Sequence, residues 1–206
     1  MSDSNLLAST AGYGEAAAEL VAQYESVTFA EVHRDVLGLL PGPPAAVLDI
    51  GAGSGRDAAE LARRGHPVVA AEPVAELRAL GREIHADQPI EWVADALPEL
   101  PLLRAAGRRF ELVLLTAVWM HLDAAERTTA MAALTELLAP GGLAAVKLRH
   151  GPVPPGRRMY DVSAAETTAL AARHGLAAVH LSERPDPHHR PGVSWSDLVL
   201  RRPTAG

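Results

Sequence analysis

An apolar run, VLDI at 47–50, breaks into a turn with glycine at 51, 53 and 55, and helical spacing resumes at Arg56. Few stretches restrict a fold more. A buried strand that passes directly into a helix over three alternating positions without side chains leaves main chain bare for a ligand to lie on. Glu72 stands at the end of the next apolar run, HPVVAAE, where one strand–helix–strand unit delivers a carboxylate beside a ribose. Together the two features predict a nucleoside-bearing cofactor.

Spacing separates the candidate cofactors. A dinucleotide fingerprint, Gly-x-Gly-x-x-Gly, uses its third glycine for close helix–sheet packing beside a pyrophosphate. Counted from Gly51 that third position is Arg56; counted from Gly53 it is Ala58, a permitted variant, so a nicotinamide reading stays open. Asp49 would repel a pyrophosphate; it orders the glycine turn or faces a cationic ligand.

Apolar residues make up 48% of the 206 positions, enough for one packed domain. A net charge of −6 argues against a nucleic-acid-binding surface. With no cysteine, thiolate nucleophiles, disulfides and cysteine zinc sites are excluded, and no metal site is expected. The N-terminus carries no signal-peptide pattern, and the longest apolar run is far short of the ~20 residues of a membrane span. The expectation is a cytoplasmic protein, monomer or homodimer, with neither membrane nor nucleic-acid partner.

Two helices are predicted within 13–40, with a break near 26–28, before PGPP stops the pattern. Strands follow at 45–50, 67–72, 90–94, 110–116 and 143–149, separated by helices over 56–64, 74–86 and 123–138, with a loop and short helix between the third and fourth strands. Asp123 with Glu126 makes a capping box at the start of the last of these helices. PGG at 140–142 ends it. A helix over 163–175 precedes two strands, 177–182 and 195–201. Strict β/α alternation predicts a three-layer, doubly wound, mostly parallel seven-stranded sheet, and the final strand pair, joined without a helix, predicts an antiparallel C-terminal edge hairpin. The division expected is an N-terminal helical lid over 1–42 on a Rossmann-like core over 43–206.

This layout resembles the class I S-adenosylmethionine-dependent methyltransferases across nearly the whole chain. The resemblance rests on VLDIGAGSG, on Glu72, on VADA at 93–96, on FELVLLTAVWMHL, and on LLAPGGLAAVKL, the most specific of them. It implies S-adenosyl-L-methionine as cofactor, with Asp49, Gly51, Ala52, Gly53 and Gly55 about the methionine part. Glu72 and the adjoining Pro73 would meet the ribose, Asp95 and Ala96 the adenine edge, and Thr116 and Ala117 the sulfonium. Read without the resemblance, Asp95 serves equally as a helix cap.

The acceptor side is less determined. His121, beyond the fourth strand, is a candidate base, with a hydrogen-bonded histidine at a helix start as its alternative. Arg149 and His150 at the end of the fifth strand are the other catalytic candidates, with Arg157 and Arg158 behind them and Arg190 from the last loop. Guanidiniums gathered in an acidic protein point to an anionic substrate, against the alternative of a solvated loop. Tyr13 and Tyr24 on the N-terminal helices are candidate lid residues, and Trp119 a candidate pocket wall. His188 and His189 read as solvated.

Absent motifs narrow the chemistry. No Asn/Asp-Pro-Pro-Tyr follows the fourth strand, which disfavours nucleic-acid amino-methylation, and its end at Thr116 rather than an acid argues against the magnesium-dependent catechol type. The expectation is methyl transfer to O or N of a small, anionic molecule. The alternatives are a nicotinamide-dependent oxidoreductase, though no Tyr-x-x-x-Lys occurs, and a catalytically silent regulatory protein that binds cofactor.

Overall fold

The computed structural model describes residue 10, residues 12–186 and residues 190–204; His188 and His189 lie outside them. Strands β1 (Val47–Ile50) and β2 (Val68–Ala71) are buried at every position, and β4 (Phe110–Thr116) at all but its second residue and its end. Continuous apolar runs of this kind belong to a parallel sheet covered on both faces. With β3 (Ile90–Val93), β5 (Leu138–His150), β6 (Ala177–Pro185) and β7 (Ser194–Arg201) the sheet order is β3-β2-β1-β4-β5-β7-β6. The first five strands run parallel; β7 is antiparallel to both β5 and β6. The expected doubly wound sheet is the one observed.

The pleat divides the core. Leu48 and Ile50 face a cluster with α6 (Ala124–Leu137) and α7 (Ala164–Arg173), whereas Val47, Leu112 and Leu114 face α3 (Arg56–Arg63) and Phe29 of α2 (Phe29–His33). Helix α1 (Ala17–Glu25) packs its Ala17 and Val21 against Leu77 of α4 (Ala75–Ile84). A short helix, α5 (Pro101–Ala105), completes the set. No helix of the described residues is long and apolar enough to cross a membrane.

Capping accounts for several boundaries. Thr28 and Glu31 close a capping box at α2, beside the expected break, and Asp123 with Glu126 closes the one expected at α6. The helices expected within 13–40 are shorter than predicted, Ala17–Glu25 and Phe29–His33, with a single 3-10 turn at Leu37–Leu39 after them, and two strand boundaries also differ. β5 begins at Leu138, not 143, because Phe110 pairs Leu138 and then Leu112 pairs Leu143, leaving the Pro-Gly-Gly stretch as a bulge inside the strand. A Cβ at Gly142 would lie 2.9 Å from the Phe110 carbonyl oxygen, so only glycine brings the strands that close. β6 also extends to Pro185, because β7 offers partners that far.

Strand order reverses between β1 and β4, since the chain leaves β1 for β2 on one side and reaches β4 on the other. Ligands of open α/β sheets bind at the carboxyl ends of the strands at such a point.

Candidate active site

A cavity of about 440 Å³ opens there. Tyr13 lines it from a turn, residues 12–16, that precedes α1 and so lies outside the helix expected for it, running between α4 and the loop after β5: a Cβ at Gly12 would meet the Gly156 carbonyl oxygen at 3.2 Å, and one at Gly14 the Glu76 carboxylate at 3.0 Å. The floor is the turn after β1. Gly51 and Gly53 have φ of +67° and +58°, a region that side chains strain to enter. A Cβ on Gly51 would sit 2.6 Å from Val118, and one on Gly53 3.1 Å from the Tyr24 ring. The N–H groups of Gly51 and Ala52 both donate to the Ala71 carbonyl of β2, which fixes the turn to the neighbouring strand.

Acids surround this turn. Glu72 accepts the Gly53 N–H and the Val74 N–H, each at 2.8 Å. Burial nevertheless pushes its pKa up to about 7, outweighing those two bonds and the Arg78 charge. Asp49 is raised well above the carboxylate range by burial and by the neighbouring Asp57 and Glu72, against the pull of Arg56. Asp57, on the first turn of α3, takes three donors: His33 Nε2 at 2.8 Å, Arg56 Nε at 2.7 Å and Thr116 Oγ1 at 3.0 Å. Burial opposes its ionisation, but His33 and Arg56 prevail and hold it well below the usual range. Asp95 accepts the Ala96 N–H at 3.0 Å and the Leu103 N–H at 2.9 Å, so its carboxylate caps α5.

The opposite wall is cationic. Lys147 pairs with Asp197, Arg190 pairs with Asp186 at 2.7 Å, and Arg184 donates to the Glu31 and Val32 carbonyls of α2. Arg184 also keeps a buried Nε without a hydrogen-bond partner, 3.7 Å from the Asp197 carboxylate, whereas Arg149 and Arg157 lack even that contact. Arg149 gives Nη1 to the Pro152 carbonyl at 2.9 Å, but its buried Nε has no partner. Arg157 stacks 3.7 Å over the Tyr13 ring, and its buried Nη1 has no partner either. Among the described residues neither forms an ion pair. Burial, and then Arg190, lowers the pKa of Arg149.

Between the two walls stands His121, 8% exposed. Its Nδ1 lies 2.6 Å from the Arg158 carbonyl and its Nε2 3.0 Å from the Tyr13 hydroxyl. Burial lowers its pKa, over the opposing effect of the carbonyl contacts. Burial raises that of Tyr13, against Arg157.

All but four of the expected site residues line this cavity. His150 does not: the strand pleat turns Lys147 and Arg149 inward and His150 to the other face, where Nε2 meets Ser196 Oγ at 2.7 Å beside a separate shallow cavity. Trp119 is fully buried beneath the cavity as core. Arg158 is drawn outward by Glu126 and Asp123 at the start of α6 and by the Tyr160 hydroxyl. Gly55 faces the Trp92 ring, which a Cβ would meet at 2.7 Å, so it serves packing between β3 and α3. Sequence reasoning missed Asp57 and His33. An acid on the buried face of a helix was the available signal for the first; the second, on a five-residue helix, left none.

The family model described as a methyltransferase domain matches residues 47–142. Uncharacterized methyltransferases of Mycobacterium bovis and Mycobacterium tuberculosis are 36% identical over 121 residues, 57% of this chain. The chain spans 58% of the length of those relatives. A TehB-like SAM-dependent methyltransferase from Corynebacterium glutamicum superposes with TM-score 0.69 at 20% identity, over 92% of this chain and 98% of that one. The Burkholderia thailandensis 1,6-didemethyltoxoflavin-N1-methyltransferase, solved with bound 1,6-didemethyltoxoflavin and S-adenosylhomocysteine, gives TM-score 0.65 at 23% identity, over 98% of this chain and 93% of that one. At these identities the two structures establish a shared fold.

Proposed function

We propose that this chain, whose residues 47–142 match the family model described as a methyltransferase domain, is a class I S-adenosylmethionine-dependent methyltransferase that moves a methyl group to an O or N atom of a small anionic molecule. The observation that carries the reading is the turn at Gly51–Gly53, which lines the cavity, has no room for side chains against Val118 and Tyr24, and is clamped to a buried Glu72. These residues suit S-adenosylmethionine. Main chain at 51–53 offers a bed for its methionine part. Asp49, at the base of the turn, would face the ammonium. Each Glu72 oxygen takes only one backbone donor and retains a lone pair for a ribose hydroxyl. Asp95 is engaged by main chain, so the adenine would meet the Pro73 and Ala96 segments through packing. Thr116 and Ala117 border the place of the sulfonium. When bound, the cofactor supplies an activated methyl group on a good leaving group, and the protein's part is to orient the acceptor and exclude water.

The anionic character of the acceptor is supported by Arg149 and Arg157. Buried guanidinium N–H groups without partners are costly, and a carboxylate or phosphate is the group that would satisfy them. The N-terminal helices, reached by Tyr13 and Tyr24, form the lid over a core beginning near residue 43.

Calorimetry with S-adenosylhomocysteine and with NADH tests the reading. S-adenosylhomocysteine alone should bind. Binding of NADH alone would make the chain an oxidoreductase. Binding of S-adenosylhomocysteine without methyl transfer from labelled S-adenosylmethionine to any of a panel of hydroxy acids, amines and phosphates would make it a silent binding protein.

A further inference from the structure

The Arg158 carbonyl can only accept a hydrogen bond, so the His121 Nδ1 at 2.6 Å from it must carry a proton. A neutral imidazole then has a lone pair on Nε2, and the Tyr13 hydroxyl at 3.0 Å donates to it. The two rings meet edge to face, centroids 5.7 Å apart. His121 therefore presents no free nitrogen to an acceptor. What faces the cavity in its place is the Tyr13 oxygen, whose lone pairs remain available.

We propose that Tyr13 and His121 form a two-step proton relay, and that the methyl acceptor is a hydroxyl group. The proposal rests on the methyltransferase reading above. As the methyl group bonds to the acceptor oxygen, the acceptor O–H bond breaks and its proton passes to the Tyr13 oxygen. The phenolic proton passes in the same motion to His121 Nε2. The bond from methyl to sulfur breaks with its electron pair going to sulfur, so the positive charge lost by the sulfonium appears on the imidazolium.

The geometry selects the acceptor class. A carboxylate oxygen needs no deprotonation, and an amine loses its proton after attack, so neither requires a relay in the transition state; a hydroxyl does. Alternative bases are otherwise engaged. Lys147 is tied to Asp197, and Asp49, Asp57 and Glu72 stand about the glycine turn. The charged groups facing His121 are the Arg157 and Arg158 guanidiniums, both of which disfavour its protonation before the reaction. Arg157, over the Tyr13 ring, stabilises negative charge on the phenolic oxygen during the transfer.

The test uses the full chain labelled with 15N at histidine and saturated with S-adenosylhomocysteine. Imidazole correlations should show His121 as the Nδ1–H tautomer, and Tyr13→Phe should raise its titration midpoint by about half a pH unit or more, since the donor to the neutral ring is gone. An Nε2–H tautomer, or a midpoint that Tyr13→Phe leaves unmoved, overturns the relay. In turnover, hydroxy acids should be methylated and matched acids without the hydroxyl should not. Tyr13→Phe should lower kcat about 100-fold while S-adenosylhomocysteine affinity stays within about threefold. Equal turnover of the deoxy acids overturns the acceptor class. Failure of the wild type to bind S-adenosylhomocysteine would instead defeat the methyltransferase reading, which distinguishes the two failures.

Discussion

The two sides of the cavity are built in different ways. Around the glycine turn, Glu72 and Asp95 are held by main chain from their own or the adjacent β/α unit, Gly53 and Val74 on Glu72 and Ala96 and Leu103 on Asp95, while Asp57 alone is held by side chains, those of His33, Arg56 and Thr116. Across the cavity, guanidiniums, a tyrosine and a histidine come from distant parts of the chain, and three of the guanidiniums, those of Arg149, Arg157 and Arg184, keep a buried N–H without a hydrogen-bond partner. On the first side the carboxylates are fixed by donors already in place; on the second, buried donors lack partners. A site made of backbone suits a component every relative of the fold shares, and a site made of side chains suits a component each chain chooses for itself.

The largest effect expected, and the one that would break this contrast, is at the turn. Gly53→Val places a β-branched side chain at φ +58° and against the Tyr24 ring, and S-adenosylhomocysteine affinity should fall by a factor on the order of 100 or more, with the far-ultraviolet spectrum unchanged. Undiminished affinity by calorimetry would mean the cofactor lies elsewhere.

On the other side, Arg149→Met or Arg157→Met should each raise the KM of an anionic hydroxy acid by about tenfold, with S-adenosylhomocysteine affinity unaltered. A fall in cofactor affinity would move those guanidiniums to the methionine carboxylate and erase the division between the two sides.

Glu72 sharpens the comparison through pH. Its folded pKa of about 7 lies above the ordinary 4.5, so the fold favours the protonated form. That stabilisation is present in full below about pH 4.5 and is lost as pH rises through 7. Without ligand, the melting temperature should drop by roughly 5 °C between pH 5 and 8 from this group, and Glu72→Gln should flatten the dependence. An equal slope in the variant would show that another group titrates. The smallest effect belongs to Asp95→Ala, which should cost about 1 kcal/mol of stability as a lost cap while cofactor affinity holds within about threefold. A tenfold loss of affinity would return Asp95 to the adenine.

The same contrast governs what could be read in advance. Asp123 and Glu126, three residues apart, announced their helix start, and VLDIGAGSG announced its turn. The register of β5 was hidden, because Pro-Gly-Gly ends a helix and also tolerates a bulge, and only pairing with Phe110 and Leu112 chooses between them. Arg149 and His150 are neighbours in sequence and equal as candidates, yet the pleat sends them to opposite faces. Asp57 drew no expectation from the sequence, because its partner His33 comes from a separate helix and meets it only in the core.

Amino-acid order alone determined the sheet, its crossovers and the glycine turn after β1, because periodicity, caps and glycine turns are relations among residues close along the chain. Only the tertiary structure decided which arginines keep unmet donors and that Tyr13 meets His121. Those facts depend on contacts between residues a hundred positions apart, which packing alone sets.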